Sequence, residues 1–381
     1  MKVNFRLFLI QFKKKWIFFG YLAQNLNLMK KSLIILAVFA LMTACKDKTS
    51  NTETDVSTTE NVQNDENVGD VSLNEFETEE GINTASNTSL QKNEDDTYSF
   101  RFNLKKGDTY PFRMKITTDE SMTMGDQSAS MSSTRTVDFD YFVENINNTN
   151  FILKATFLNF SESFKAPTGE TISFNTAQGR PANEDVAKNW SIYKAISGQS
   201  FTMEVNNRGK VISVKGLDKV RSNAFEKIKS DFTAEEQNYV KDLLENSLSV
   251  DAIKVQFEES MNIFPERNLK IGEKWEDVQN INEGPVTGKN TITRTFEGIK
   301  DGVARVKVDG VMNVGGSETQ QDLTMTMKNN STIDGTIDVD IETGWLNKVH
   351  FVKNESSSVT YQQGDLKETE SAKQTVVTTV N

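Results

Sequence analysis

Cysteine and histidine are nearly absent from these 381 residues: there is one of each, Cys45 and His350. A lone cysteine excludes an internal disulfide and any zinc site built on cysteine pairs. A lone histidine excludes sites with two imidazole ligands, and a Ser-His-Asp triad would have to use His350. No glycine-rich phosphate loop, nucleophile elbow or zinc motif occurs. Basic residues are also scarce, at 43 Lys and Arg against 54 Asp and Glu. Seven of the 43 precede Cys45 and no acid does, so the chain from Cys45 onward carries 36 against 54, a net charge of −18. That surface repels nucleic acid, and no nucleic-acid partner is expected. No catalytic residue, metal site or cofactor is assigned, and the oligomeric state is left open.

What is present early is a leader. Lys30-Lys31 is followed by the apolar run Ser32 to Ala44, which ends at Cys45. A basic start, an apolar stretch and small residues at the end read as a secretory signal. At 13 residues the run is well short of the roughly 20 that span a bilayer as a helix. Thr43-Ala44-Cys45, with Met42 and Leu41 before it, resembles the lipobox of bacterial lipoproteins. The resemblance implies cleavage before Cys45, acylation of Cys45 and anchoring in a membrane of the bacterial envelope, the outer membrane being the expected one. Which face of the membrane it occupies stays open. A lone buried thiol after an apolar helix is the rival reading. Residues 1–28 are apolar and basic and precede Met29-Lys30-Lys31, which is itself a suitable start. The expectation is that translation begins at Met29, with a long removed leader as the alternative.

Residues 45–96 differ in composition from the rest of the chain. Positions 46–96 hold 14 Asp or Glu, three Lys and one aromatic, Phe76. Such a stretch buries too little apolar surface to offset ordering entropy, so a disordered tether reaching about 40 Å is expected.

From 97 to 381 the texture is that of strands, with period-two alternation at Tyr98/Phe100/Phe102, Val137/Phe139/Tyr141, Phe201/Met203/Val205 and Ile337/Val339/Ile341. Phrases recur in one order. Asn103-Leu104-Lys105-Lys106-Gly107-Asp108-Thr109-Tyr110 returns as Asn268-Leu269-Lys270-Ile271-Gly272-Glu273-Lys274-Trp275. Val143-Glu144-Asn145-Ile146-Asn147-Asn148 returns as Phe296-Glu297-Gly298-Ile299-Lys300-Asp301. The stretch 198–214 parallels 335–349. The reading is an internal duplication, with copies at about 97–216 and 265–381 and a helical connector at 217–264. Helices are expected at 184–196 (carrying Trp190 and Tyr193), at 217–228, behind the capping box Thr233-Ala234-Glu235-Glu236, and at 250–261. The fold class is therefore α+β: a mostly antiparallel curved sheet with a few helices packed on it. The Gly-Asp-x-Tyr phrase, the asparagine-rich hairpin and the lipobox together resemble an uncharacterised Bacteroidota lipoprotein family. That resemblance implies an address and a fold, and no chemistry.

Asp338, Asp340 and Glu342 alternate with Ile337, Val339 and Ile341, which reads as the wet face of a strand and not as a calcium loop. His350 falls opposite Val349 and Phe351, on a solvent face. Met122/Met124 and Met325/Met327 place paired thioethers on one strand face each. They suit an adaptable apolar lining better than a copper(I) site, given the missing Cys and His. The first functional reading is a non-catalytic envelope module binding a lipid or another apolar ligand in a cleft between sheet and helices. Its lining would be Met122, Met124, Met325, Met327, Trp190 and Tyr193. The alternative is a structural or protein-interaction scaffold with a filled core, and last comes a carboxylate-based hydrolase.

Overall fold

A computed structural model describes residues 88–320 and 322–381. Cys45, the leader and the tether as far as residue 87 lie outside the described residues. Among the described residues there are fourteen strands and four α-helices. The first half holds β1 (Leu90–Lys92), β2 (Tyr98–Phe100), β3 (Thr109–Met124), β4 (Gln127–Asn147), β5 (Asn150–Lys165), β6 (Thr171–Asn175), α1 (Glu184–Ile196), β7 (Ser200–Asn206) and β8 (Val211–Lys215). Three helices come next: α2 (Leu217–Ile228), α3 (Ala234–Ser247) and α4 (Val250–Met261). The second half is β9 (Lys274–Glu283), β10 (Val286–Lys300), β11 (Val303–Gln320), β12 (Leu323–Asp340), β13 (Leu346–Gln363) and β14 (Leu366–Val380).

Twelve strands form one antiparallel sheet, in the order β8-β7-β5-β4-β3-β14-β13-β12-β11-β10-β9, with β6 paired to β5. The path starts at β8 and ends at β9, so the sheet is curved and open. This is the expected α+β class.

The repeated phrases make the same bonds. Gly107 N–H donates to Val143 O and Val143 N–H to Asp108 O; Gly272 N–H donates to Phe296 O and Phe296 N–H to Glu273 O. Each glycine sits at positive φ, +89° and +85°, where a side chain is disfavoured. The register slips at matching places, between Val143 and Asn145 and between Phe296 and Gly298.

The tether boundary is corrected by the structure. Leu90 is 1% exposed, and Ser89 and Leu90 donate backbone hydrogen bonds to Glu342 and Ile341. Residues 88–96 therefore belong to the fold: their few apolar groups are buried against the far half of the chain, which local composition cannot reveal. The stretch after β2 laces the halves together, with Phe102 N–H donating to Asn207 O and Asn103 N–H to Thr343 O. Those acceptors lie in the two matching turns, whose Gly209 and Gly344 also hold positive φ. A Cβ on Gly209 would lie 2.2 Å from Met261 O.

Helix ends follow local signals. Thr233 and Glu236 form a reciprocal capping box on α3, Asn183 caps α1 and Ser249 caps α4. The core lies between the helices and one half of the long strands, built from Phe139, Tyr141, Phe157 and Phe201 of the sheet with Val240, Leu244, Phe257 and Met261 of the helices. Pro111 sits within β3 beyond the last residue of β14 that pairs there, Val380 opposite Met114. Its carbonyl instead accepts the Trp345 indole N–H at 2.9 Å, so the proline costs no sheet hydrogen bond.

Asp338 overturns the expectation of a wet acidic face. It is 7% exposed and receives Arg305 Nε at 2.6 Å and Nη2 at 2.8 Å. The two-pronged pair gives the carboxylate two charge-assisted hydrogen bonds at low exposure. His350 is exposed, as alternation requires.

Candidate ligand-binding face

The cleft expected under the helices is not empty. The space between β3, β4, β7 and α4, lined by Phe112, Phe139, Tyr141, Phe201, Ile253 and Phe257 among others, amounts to about 10 Å³, the size of one water. Trp190 and Tyr193 do not line it. Trp190 Nε1 donates to Asn175 O at 3.2 Å, and Tyr193 stacks on Phe174 and tilts over Phe160. Both are held by α1 against β5 and β6, because the aromatic stripe of that helix is the one facing the sheet.

The methionines lie elsewhere and lie together. One register row runs Val286–Gly316–Met327–Val359–Glu370–Met124 across β10, β11, β12, β13, β14 and β3. Met122 and Met325 are two residues from their partners and so share the face. Stepping along the strands in twos from this row reaches Val349, Val380 and Met114, which belong to the core. The methionines therefore occupy the core-side face, at the far end from the helices. Val359 is 1% exposed, Val286 6% and Met122 8%, yet none belongs to the continuous core. Val359 and the methionines make a second, smaller apolar patch on this face, with Met325 and Met327 half-buried and Met124 exposed.

Between core and methionines the same face is polar. Lys353 of β13 pairs with Glu355 at 2.8 Å, and Asn329 Nδ2 donates to Glu355 at 3.1 Å. Desolvation pushes the carboxyl of Glu259, on α4, up to about 7, and the group is near enough to feel the opposing charge of Lys353. Two buried oxygens on this face lack a hydrogen-bond partner among the described residues, Asn329 Oδ1 and Glu370 Oε2. Burial pushes the Glu370 carboxyl up, and the charge of Glu368 adds to it. Deeper in, Arg135 Nη2 donates to Glu162 Oε1 at 2.8 Å, under α1 and beside Tyr193.

Four hairpins end at the methionine end. Three of them turn on a glycine at positive φ, Gly125 (+56°), Gly284 (+62°) and Gly364 (+58°), placed first in a two-residue loop as in type II′ turns. Their rims carry exposed apolar residues: Met124 is 37% exposed, Leu323 42% and Leu366 78%. Sequence alternation places each methionine pair on one face. It cannot show that β3 and β12 have only two strands between them, because β14 pairs with β3 across most of the described chain.

No group of three His, Cys, Asp or Glu positioned to hold a metal occurs among the described residues. No helix among them is long and apolar enough to cross a membrane. A family model described as "Family of unknown function (DUF6263)" matches residues 148–346, from the start of β5 to the start of β13. No curated protein matches the chain. Among solved structures, it is similar to OpdL of Pseudomonas aeruginosa at 7% identity and a TM-score of 0.21, over 72% of this chain and 99% of that one. A mutant porin of Rh. blastica matches at 9% identity and a TM-score of 0.17, over 70% and 100%. OmpT, an outer membrane protein of Vibrio cholerae, matches at 9% and 0.15, over 72% and 100%. TM-scores this low say nothing about the fold or function of this chain.

Proposed function

This chain belongs to the DUF6263 family of unknown function, and from that premise we propose that it is a non-catalytic binding module of a bacterial envelope, tethered through acylated Cys45. Its ligand site is the methionine end of the core-side face, which takes an apolar ligand. The observation that carries this reading is the convergence of Met122, Met124, Met325 and Met327 on one face of four adjacent strands. Methionine thioethers are flexible and polarizable, and they mould to ligands of varied shape. The nearly filled space under the helices argues against a closed cavity there.

The test uses N-phenylnaphthylamine, a neutral apolar dye that brightens out of water. The native chain should enhance its emission. Met325→Asp should weaken binding at least about tenfold, since a carboxylate would be desolvated in the site, while His350→Ala on the opposite face leaves it unchanged. No enhancement by the native chain, or enhancement indifferent to Met325→Asp, would overturn the reading.

The anchor has its own check. Intact mass of the chain taken from bacterial envelopes should begin at Cys45 and carry acyl chains, and Cys45→Ser should move the protein to the soluble fraction. A membrane-bound Cys45→Ser protein would refute the tether.

A further inference from the structure

The rim of the methionine face is charged in one sense. Four turns meet there and each brings a carboxylate: Asp126, Glu283, Asp322 and Asp365. Glu368 and Glu370 stand just below, and Lys367 is the only basic residue in 121–127, 283–287, 317–327 and 361–371. Glu370 lies on the register row between Val359 and Met124, with one buried oxygen that meets no donor among the described residues. A methionine and valine surface with negative charge within it and around its rim is complementary to an apolar surface edged with positive charge.

The dimensions narrow the occupant. The methionine pairs on β3 and β12 are three strand spacings apart, about 14 Å. An α-helix with its side chains is about 10–12 Å across. Between Met327 and Met124 stand Val359 and Glu370, and beside Met325 stand Tyr361 and Glu368, so the surface between the pairs is part apolar and part acidic. The exposed Leu323 and Leu366 extend the apolar surface past the methionines onto the hairpin tips. A small ligand seated among the methionines leaves those leucines uncovered; a longer rod lying across the end covers them.

We propose that the hairpin end is a docking groove for a basic amphipathic helix of another protein, its apolar stripe on the methionines and its Lys or Arg residues on the rim. This rests on the proposed binding function and names the partner of the same face. Methionine walls give grip without demanding one sequence. The carboxylates speed encounter and reject acidic helices.

Two labelled peptides test it, alike in their apolar leucine stripe and differing only in Lys or Glu on the other face. Fluorescence anisotropy should show the Lys peptide binding at least about tenfold tighter at low salt, with the gap shrinking as salt rises. Asp126→Asn with Asp365→Asn, both in the rim turns, should cut that preference several-fold and leave N-phenylnaphthylamine binding intact. Asp108→Asn with Glu144→Gln, near the helix-covered end, should leave the preference unchanged. Equal binding of both peptides, or a preference that falls as much with the distant pair as with the rim pair, would overturn the proposal while the dye result stands. Loss of the dye signal as well would bring down the binding reading itself.

Discussion

Ending the chain at Asp365 is expected to abolish cooperative folding. The deleted strand, β14, is not an edge. It pairs with β13 from Val349–Val380 to Gln363–Leu366 and with β3 from Met114–Val380 to Met124–Glu370. Without it the sheet falls into two pieces, β8 to β3 and β13 to β9. Each piece gains a long unpaired edge, and the core loses the contribution of Val380. Domains of this size are stable by only about 5–15 kcal/mol, and losing a central strand exceeds that margin. Urea unfolding followed by circular dichroism checks this. A truncated chain with a sharp transition and an unchanged m-value would mean that β14 is dispensable.

Arg135→Met should cost about 3–5 kcal/mol at neutral pH, the range for breaking a buried ion pair from one side. Both partners are deeply buried, with side chains 13% and 9% exposed, and Glu162 Oε2 already lacks a partner among the described residues. Burial holds the Glu162 carboxyl above its ordinary value of 4.5, with Arg135 opposing. A raised carboxyl is protonated more readily in the folded chain than in the unfolded one. Its contribution is therefore complete below the ordinary value and is lost as pH rises through the folded one. Removing Arg135 raises that folded value further. The loss of stability should be largest at neutral and alkaline pH and smallest in acid, where Glu162 is neutral. Arg135→Met with Glu162→Leu should recover most of the loss. A single variant equally destabilised at every pH would show that packing, and not charge, accounts for the effect.

Much of the fold is legible in the sequence wherever the physics is local. The bounds of α1 and α2 follow from periodicity, the start of α3 from its Thr233–Glu236 box, and the exposure of His350 from alternation on β13. Signals fail where the partner is remote. Leu90 is buried by residues some 250 positions later, and Asp338 by an arginine on a neighbouring strand. The outer halves of β11 and β12 carry Gly310, Gly315, Gly316 and the run Asn329-Asn330-Ser331, which break the alternation. The reason is steric and lies across strands: a Cβ on Gly310 would meet Ile292 at 2.8 Å, and one on Gly316 would meet Pro285 O at 2.3 Å. The methionine pairs are visible as pairs, while their meeting depends on the strand order. Trp190 and Tyr193 read as lining because an amphipathic helix shows which face is apolar and not what that face meets.

The place of β14 also governs time. Chains grow from the N-terminus, and the strand that joins the two halves is made after every other strand among the described residues. Its contacts with β3 connect residues about 250 positions apart, and pairings of that span raise contact order and slow folding. Until residue 380 is available, β3 and β13 remain open edges that can pair with a wrong strand or a second chain. The sheet therefore stays unfinished until β14 has been made. A sheet of this design keeps its middle open until β14 arrives, and then closes in a single late step.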